Sequence, residues 1–269
     1  MRVCVWPLAL LALAGCVTHP MPHHQPDTSP ANSPDASVRP TTIDPERVAQ
    51  RLASAQSGWP RDRAHDCTRI KCVALTFDDG PSRYTGRLLD LLGRRDVRAT
   101  FFVVGQMVAA EPDGRTVRRI VGEGHELGNH TWSHPMLTAL SPEQLTHELA
   151  HTENVVRRLT GVRMQVMRPP FGATDKRVAA ASRHAGLAQI LWHVDTLDWR
   201  DRVPEKVARR AGRAAPGSII LMHDTHRSTV RAVPEIIGTL ARKGYAFVTV
   251  SELVGRTPVP GATIPELQQ

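Results

Sequence analysis

The chain has 269 residues, 41% of them hydrophobic and 22% charged, enough apolar material for one sizeable core and too much for a chain disordered throughout. Its formal charge of +8 suits a negatively charged partner such as a wall polymer, a lipid headgroup or nucleic acid. Nucleic acid is set aside, because the basic residues are scattered and aromatics make up only 4% of the chain, leaving few rings for base stacking.

Arg2 is followed by an apolar run from Val3 to Ala14, too short to span the roughly 30 Å core of a bilayer. It reads as a secretion signal over residues 1–16. Leu13-Ala14-Gly15-Cys16 is similar to the lipobox of bacterial lipoproteins. That likeness implies that Cys16 becomes the acylated N-terminus and tethers the protein to a membrane by lipid, extracytoplasmic and facing the wall or periplasm. Residues 17–44 are Pro, Ser, Thr, Asn and His with few aliphatic side chains, a spacer that buries too little apolar area to order itself. A lead-in segment at 45–71 follows, with a helix near 45–54. Cys4 leaves with the signal, so Cys67 and Cys72 remain as a pair, expected to form a disulfide outside the cell, with free thiols as the alternative. A structural zinc site is set aside there, since only His65 is near.

From residue 72 an alternation begins. Short β-rich runs fall at 73–77, 99–104, 126–128, 164–167, 188–194, 218–222 and 246–250. Helical stretches lie between them at 86–94, 116–123, 141–159, 175–185, 204–211 and 231–243. The clearest is capped by Ser141, with Pro142 in its first turn and Gln144 completing a capping box, and Gly161 ends it. Strand and helix in turn imply a parallel sheet covered by helices, either an open doubly wound sheet or a barrel. Asp78-Asp79, His130 and His134, Arg168, Asp198 and His223 each follow a predicted strand. In a β/α barrel such positions converge on one rim, so the expected fold is α/β: a distorted (β/α) barrel of about seven parallel strands, a single catalytic domain over 72–255 with a tail at 256–269.

Thr76-Phe77-Asp78-Asp79-Gly80-Pro81 places two carboxylates at the end of an apolar strand, where adjacent side chains diverge and take separate tasks. A turn cap is the simpler use of any lone Asp-Gly. His130-Thr131-Trp132-Ser133-His134 offers two imidazoles four apart, expected on one face of a helical turn that Pro135 ends. Two His and a carboxylate with open positions is an arrangement known for hydrolytic zinc and for other divalent metals, and Asp79, His130 and His134 fit it. Asp78 then stands beside a ligand as a base, and His223, in Ile219-Ile220-Leu221-Met222-His223-Asp224, is placed as an acid. Asp198 is positioned to orient His223, although Asp195 is also acidic. Arg168 in Arg168-Pro169-Pro170-Phe171-Gly172 offers a guanidinium to Asp78.

Taken together, these motifs resemble those of the polysaccharide deacetylases, the NodB-homology enzymes of carbohydrate esterase family 4, over roughly residues 72–254. The resemblance implies a distorted (β/α) barrel. It also implies one divalent metal, zinc or another such as cobalt, held by Asp79, His130 and His134. It assigns the base to Asp78, steadied by Arg168, and the acid to His223, tuned by Asp198. It gives the Phe171 amide to the oxyanion, and Trp199 and Leu221 to the pocket around the acetyl methyl. The implied partner is an acetylated polysaccharide, peptidoglycan first given the lipid and spacer. Relatives specialised for N-acetylmuramic acid often carry Asn where Asp79 stands, which favours N-acetylglucosamine. Chitin oligomers and acetylxylan are alternative substrates, and an inactive wall-binding protein is the non-enzyme alternative. No obligate protein partner is implied.

Overall fold

Cys72–Gly80 (β1) is buried along nearly its whole length, as a strand covered on both faces must be. The computed structural model describes residues 65–255 and 257–265. The expected signal, Cys16, the spacer at 17–44 and the helix near 45–54 lie outside the described residues. After β1 come α1 (Thr85–Arg94), β2 (Thr100–Val103), α2 (Gly105–Ala109), α3 (Arg115–Gly122), β3 (Glu126–Asn129), α4 (Pro142–Thr160), β4 (Val166–Met167) and α5 (Lys176–His184). They are followed by β5 (Ala188–Ile190), β6 (Val194–Asp195), α6 (Asp198–Asp201), α7 (Pro204–Ala211), β7 (Ser218–His223), α8 (Arg227–Arg242), β8 (Ala246–Val248), α9 (Val250–Val254) and β9 (Thr263–Ile264).

All pairings are parallel, and the strands run in the order β6-β7-β1-β2-β3-β4-β5-β9, with β8 beside the start of β1. The sheet curls into an open barrel whose two end strands are β6 and β9. The apolar run at 188–194 is not one strand: β5 pairs with β4 and β9, and β6 pairs with β7. One stretch of backbone thus begins on one side of the barrel and ends on the other, and between the two the Arg168 Nε and Nη2 take the carbonyls of Ile190 and Leu191 at 3.0 and 3.1 Å. This is the distortion of the barrel. It also raises the strand count from the expected seven or so to nine among the described residues, the second extra strand being β9 in the segment expected as a tail.

Alternation along the strands sorts the core into two layers. Leu75, Phe77, Phe101, Val103 and Leu127 meet Leu88, Leu89 and Leu92 of α1 and Ile120 of α3 outside the barrel. Ala74, Phe102, Val166, Ala188, Ile190 and Ile219 fill its inside. The Arg168 guanidinium lies 4.2 Å above the Phe102 ring and caps that interior core. The capping box predicted for α4 is present at Ser141 and Gln144, and Gly161 ends the helix in left-handed backbone. Two boundaries differ for local reasons. α8 begins at Arg227, four residues before the expected start, and carries Pro234 inside it. The run at 246–250 stops as a strand at Val248, because Thr249 caps a new helix, α9, with Glu252.

Candidate metal centre and catalytic groups

Because every strand is parallel, the strand ends gather at one rim. Asp78 and Asp79 lie in the last turn of β1 rather than after it, His223 ends β7, and His130, Arg168 and Asp198 follow β3, β4 and β6 closely. The Asp79 Oδ1 is 3.4 Å from the His130 Nε2 and 3.3 Å from the His134 Nε2, and all three donor atoms lie within 4.8 Å of one another. That Oδ1 is buried and has no hydrogen-bond partner among the described residues, a costly state for a carboxylate oxygen. Two ligands about 2.0–2.1 Å from one ion stand about 3.3 Å apart at a tetrahedral angle, the spacing that Asp79 keeps to each histidine. The His130 Nδ1 sits 2.7 Å from the Arg168 carbonyl; donating its proton there leaves the Nε2 lone pair facing the centre. Burial pushes the Asp79 carboxyl up, but the close His130 imidazole, with His223 and His134 further off, brings it down to about 2.

The two histidines do not share a helical turn, as their spacing suggested. Residues 130–136 are irregular, with Thr131 at φ 68° and His134 at φ 61°, left-handed values that cost a side-chain-bearing residue about 1–3 kcal/mol each. Hydrogen bonding holds this shape. Glu148 of α4 accepts the N–H groups of Trp132 and Ser133 at 2.8 Å each and the Ser133 hydroxyl at 2.8 Å. Thr131 donates its N–H to the Asn129 Oδ1, and the Thr131 Oγ1 accepts the His134 N–H. Asp79 itself is at φ 72° and Phe171 at φ 61°.

Asp78 is buried, with its Oδ1 2.8 Å from the Arg168 Nη1 and its Oδ2 3.8 Å from the His130 Nε2. Arg168 also donates to the Thr76 hydroxyl, so its fork spans two side chains and two main-chain carbonyls. Across the rim, the His223 Nδ1 is 2.8 Å from the Asp198 Oδ1, and the other carboxylate oxygen accepts the His223 N–H at 2.7 Å and the Thr229 hydroxyl at 2.6 Å. Asp195 instead accepts the Leu197 N–H. Burial pulls the His223 imidazole down, but the hydrogen bond and charge of Asp198, with the charges of Asp78 and Asp79, raise it to about 9. Leu221 is buried, whereas Trp199 and Phe171 are 48% and 66% exposed, the Phe171 ring lying edge-on 4.9 Å from His134.

Two residues with no role in the sequence reading belong to this architecture. Glu148 falls on the buried stripe of α4 that includes Leu145, Leu149, Thr152 and Val156; a carboxylate on a core-facing position was the available signal. Asp224 is fully buried and accepts a hydrogen bond from Thr85. Burial, with the charges of Asp79 and Asp78 and against the Thr85 bond, raises it to about 7. Its carboxyl lies so close to Gly80 that a Cβ there would stand 2.5 Å from either oxygen, which is why glycine follows Asp79. Away from the rim, Cys67 and Cys72 are joined by a disulfide with Cα atoms 5.4 Å apart.

Comparison with known proteins gives a consistent picture. The family model described as polysaccharide deacetylase matches residues 65–190. The chain is 37% identical over 227 residues to a peptidoglycan N-acetylglucosamine deacetylase of Listeria monocytogenes, covering 80% of this chain and 48% of that one; the chain thus spans about half the length of that relative. It is 36% identical over 205 residues to a chitooligosaccharide deacetylase of a Bradyrhizobium species, covering 70% and 93%. The solved structure of a peptidoglycan deacetylase from Bacillus subtilis superposes with a TM-score of 0.67 at 38% identity, covering 71% of this chain and 93% of that one.

Proposed function

The chain belongs to the polysaccharide deacetylase family, and on that premise we propose that it hydrolyses the N-acetyl groups of N-acetylglucosamine residues in peptidoglycan. One observation carries the proposal: a cluster of three ligands, Asp79, His130 and His134, flanked by an Arg168-paired carboxylate and an Asp198-paired imidazole. Those three residues would hold a divalent ion, zinc in our reading, which would supply Lewis-acid polarisation of an acetamide carbonyl and a lowered pKa for water. Asp78, kept in place by Arg168, takes the proton of the attacking water. The Phe171 main-chain amide faces the oxygen on which negative charge develops. His223, protonated at neutral pH through Asp198, delivers its proton to the leaving nitrogen, so that acetate and a free amine depart. Leu221 and Trp199 border the acetyl methyl.

The substrate assignment is supported by the peptidoglycan relatives and by the lipobox-like segment and spacer, which suit a domain held near the wall on the outer side of a membrane. Among the described residues no helix is long and apolar enough to cross a membrane. Cys16 as the lipid-bearing N-terminus is checked by intact-mass analysis of the membrane fraction, and a mature chain that starts elsewhere and lacks lipid overturns it. The Bradyrhizobium relative favours a second reading, deacetylation of chitin oligosaccharides. Incubating the protein with peptidoglycan, chitin oligomers and acetylxylan and measuring acetate separates the readings. Release that is greatest from peptidoglycan is expected, and no release from any of the three would point to an inactive wall-binding protein.

A further inference from the structure

Helix α4 carries His147-Glu148-Leu149-Ala150-His151, the spacing in which two histidines on one helical face bind zinc while the glutamate serves as a base in metallopeptidases. The structure excludes that use of the glutamate. Glu148 is buried, and both its oxygens are committed to Trp132 and Ser133. The histidines are left to a different fate. Both are exposed, their ring centroids lie 4.0 Å apart edge to face, and none of their four ring nitrogens has a hydrogen-bond partner among the described residues.

We infer that His147 and His151 form a second transition-metal site, on the outer face of α4 and separate from the centre at Asp79, His130 and His134. Residues four apart on a helix project from adjacent turns of the same face, so the ring nitrogens reach one ion by side-chain rotation alone, without backbone movement. On its far side His151 packs against the Trp132 indole, 5.2 Å between ring centroids, which restricts that ring. The donor set is two neutral imidazoles with water completing the shell. Such a set selects borderline ions over calcium or magnesium and ranks them copper(II) above nickel(II) and zinc(II). With two protein ligands against three, it holds its ion more weakly than the rim centre and loses it first to a chelator.

The test counts metal rather than turnover, so it stands or falls independently of the substrate assignment. Full-length protein loaded with one equivalent of zinc is dialysed against graded nickel(II), and bound metals are counted. One further equivalent is expected in the wild type, bound more weakly than the metal of the rim centre. His147→Ala and His151→Ala each remove it while keeping the first equivalent. Triple replacement of His19, His23 and His24 by Ala in the sequence ahead of the domain is the control and retains the second equivalent. The inference is overturned if the wild type binds a single equivalent, if the second survives in either helix variant, or if it disappears from the triple variant.

Discussion

The two ends of the barrel both bury carboxylates, and they surround them differently. At the foot, Glu126 at the start of β3 accepts hydrogen bonds from the Thr100 hydroxyl, the Ser251 N–H and the Ser251 hydroxyl. Around it Arg98 pairs with Glu252, and Thr249 caps α9. At the rim, the Asp79 Oδ1 and the Asp224 Oδ1 are buried without partners among the described residues, a state shared away from it by the Glu153 Oε1 of α4, whose backbone is regular helix. Asp79, Thr131, His134, Phe171, Leu197 and Arg202 adopt left-handed backbone there; at the other end Asp96, in the turn between α1 and β2, is the one non-glycine residue to do so among the described residues. Burial raises the Glu126 carboxyl above its ordinary range, just as it raises Asp224. A displaced pKa therefore does not separate a working site from a structural one. Spare bonding capacity alone does not separate them either, as Glu153 shows; what marks the rim is that capacity coinciding with left-handed backbone that neighbouring contacts sustain.

If that contrast is right, the largest losses of rate come from the rim. Asp78→Asn is expected to keep its metal and lose about 10²–10⁴-fold in kcat, the usual contribution of a general base. Asp79→Asn replaces a charged ligand by a neutral one and weakens metal binding instead. Acetate release and bound metal, measured for both variants at limiting and saturating zinc, decide the matter: added zinc partly restores Asp79→Asn and leaves Asp78→Asn slow. Rescue of Asp78→Asn alone would reverse the two assignments.

A smaller effect is expected across the rim. His223 is raised to about 9, so it carries its proton at neutral pH and loses it as pH rises through that value. The alkaline limb of kcat/KM should fall there. Asp198→Asn removes the group that raises it, moving the limb to lower pH. It also costs about 1.5–3 kcal/mol for a hydrogen bond to a charged partner, or about one to two orders of magnitude in kcat/KM. A limb that does not move would mean that another group supplies the proton.

The mildest substitutions compare the ends directly. Glu148→Gln disturbs the support of the His130–His134 loop and is expected to weaken metal affinity about 10–100-fold, as loss of a partner behind a ligand does, with activity recovered at high zinc. Glu126→Gln at the foot is expected to cost about 1–2 kcal/mol of stability in urea unfolding and to leave metal affinity and kcat unchanged. Equal effects of the two on metal affinity would erase the distinction between the ends.

Much of the site is legible in the sequence because its chemistry sits in short motifs. Asp78 and Asp79, His130 and His134, Arg168, Asp198 and His223 each follow a β-rich run, and a parallel sheet brings strand ends together whatever their separation along the chain. The capping box of α4 is equally local. Glu148 and Asp224 are not legible in this way because each acts through partners distant in sequence: Glu148 lies 15 and 16 residues from the loop it holds, and Asp224 lies 139 from Thr85.

Sequence by itself determined the alternation of strand and helix, the end of the strands at which Asp78, Asp79, His130, Arg168 and His223 gather, and the candidate cluster of Asp79, His130 and His134, since periodicity and side-chain chemistry are properties of neighbouring residues. Tertiary structure decided three things. It split the run at 188–194 into two strands on opposite sides of the barrel and recruited β9 from the segment expected as a tail. It bent the histidine segment out of any helix. It selected Asp198 over Asp195 to meet His223. Each outcome depends on which distant donor satisfies a buried backbone or carboxylate group, and hydrogen-bond satisfaction is settled only when the whole sheet has assembled.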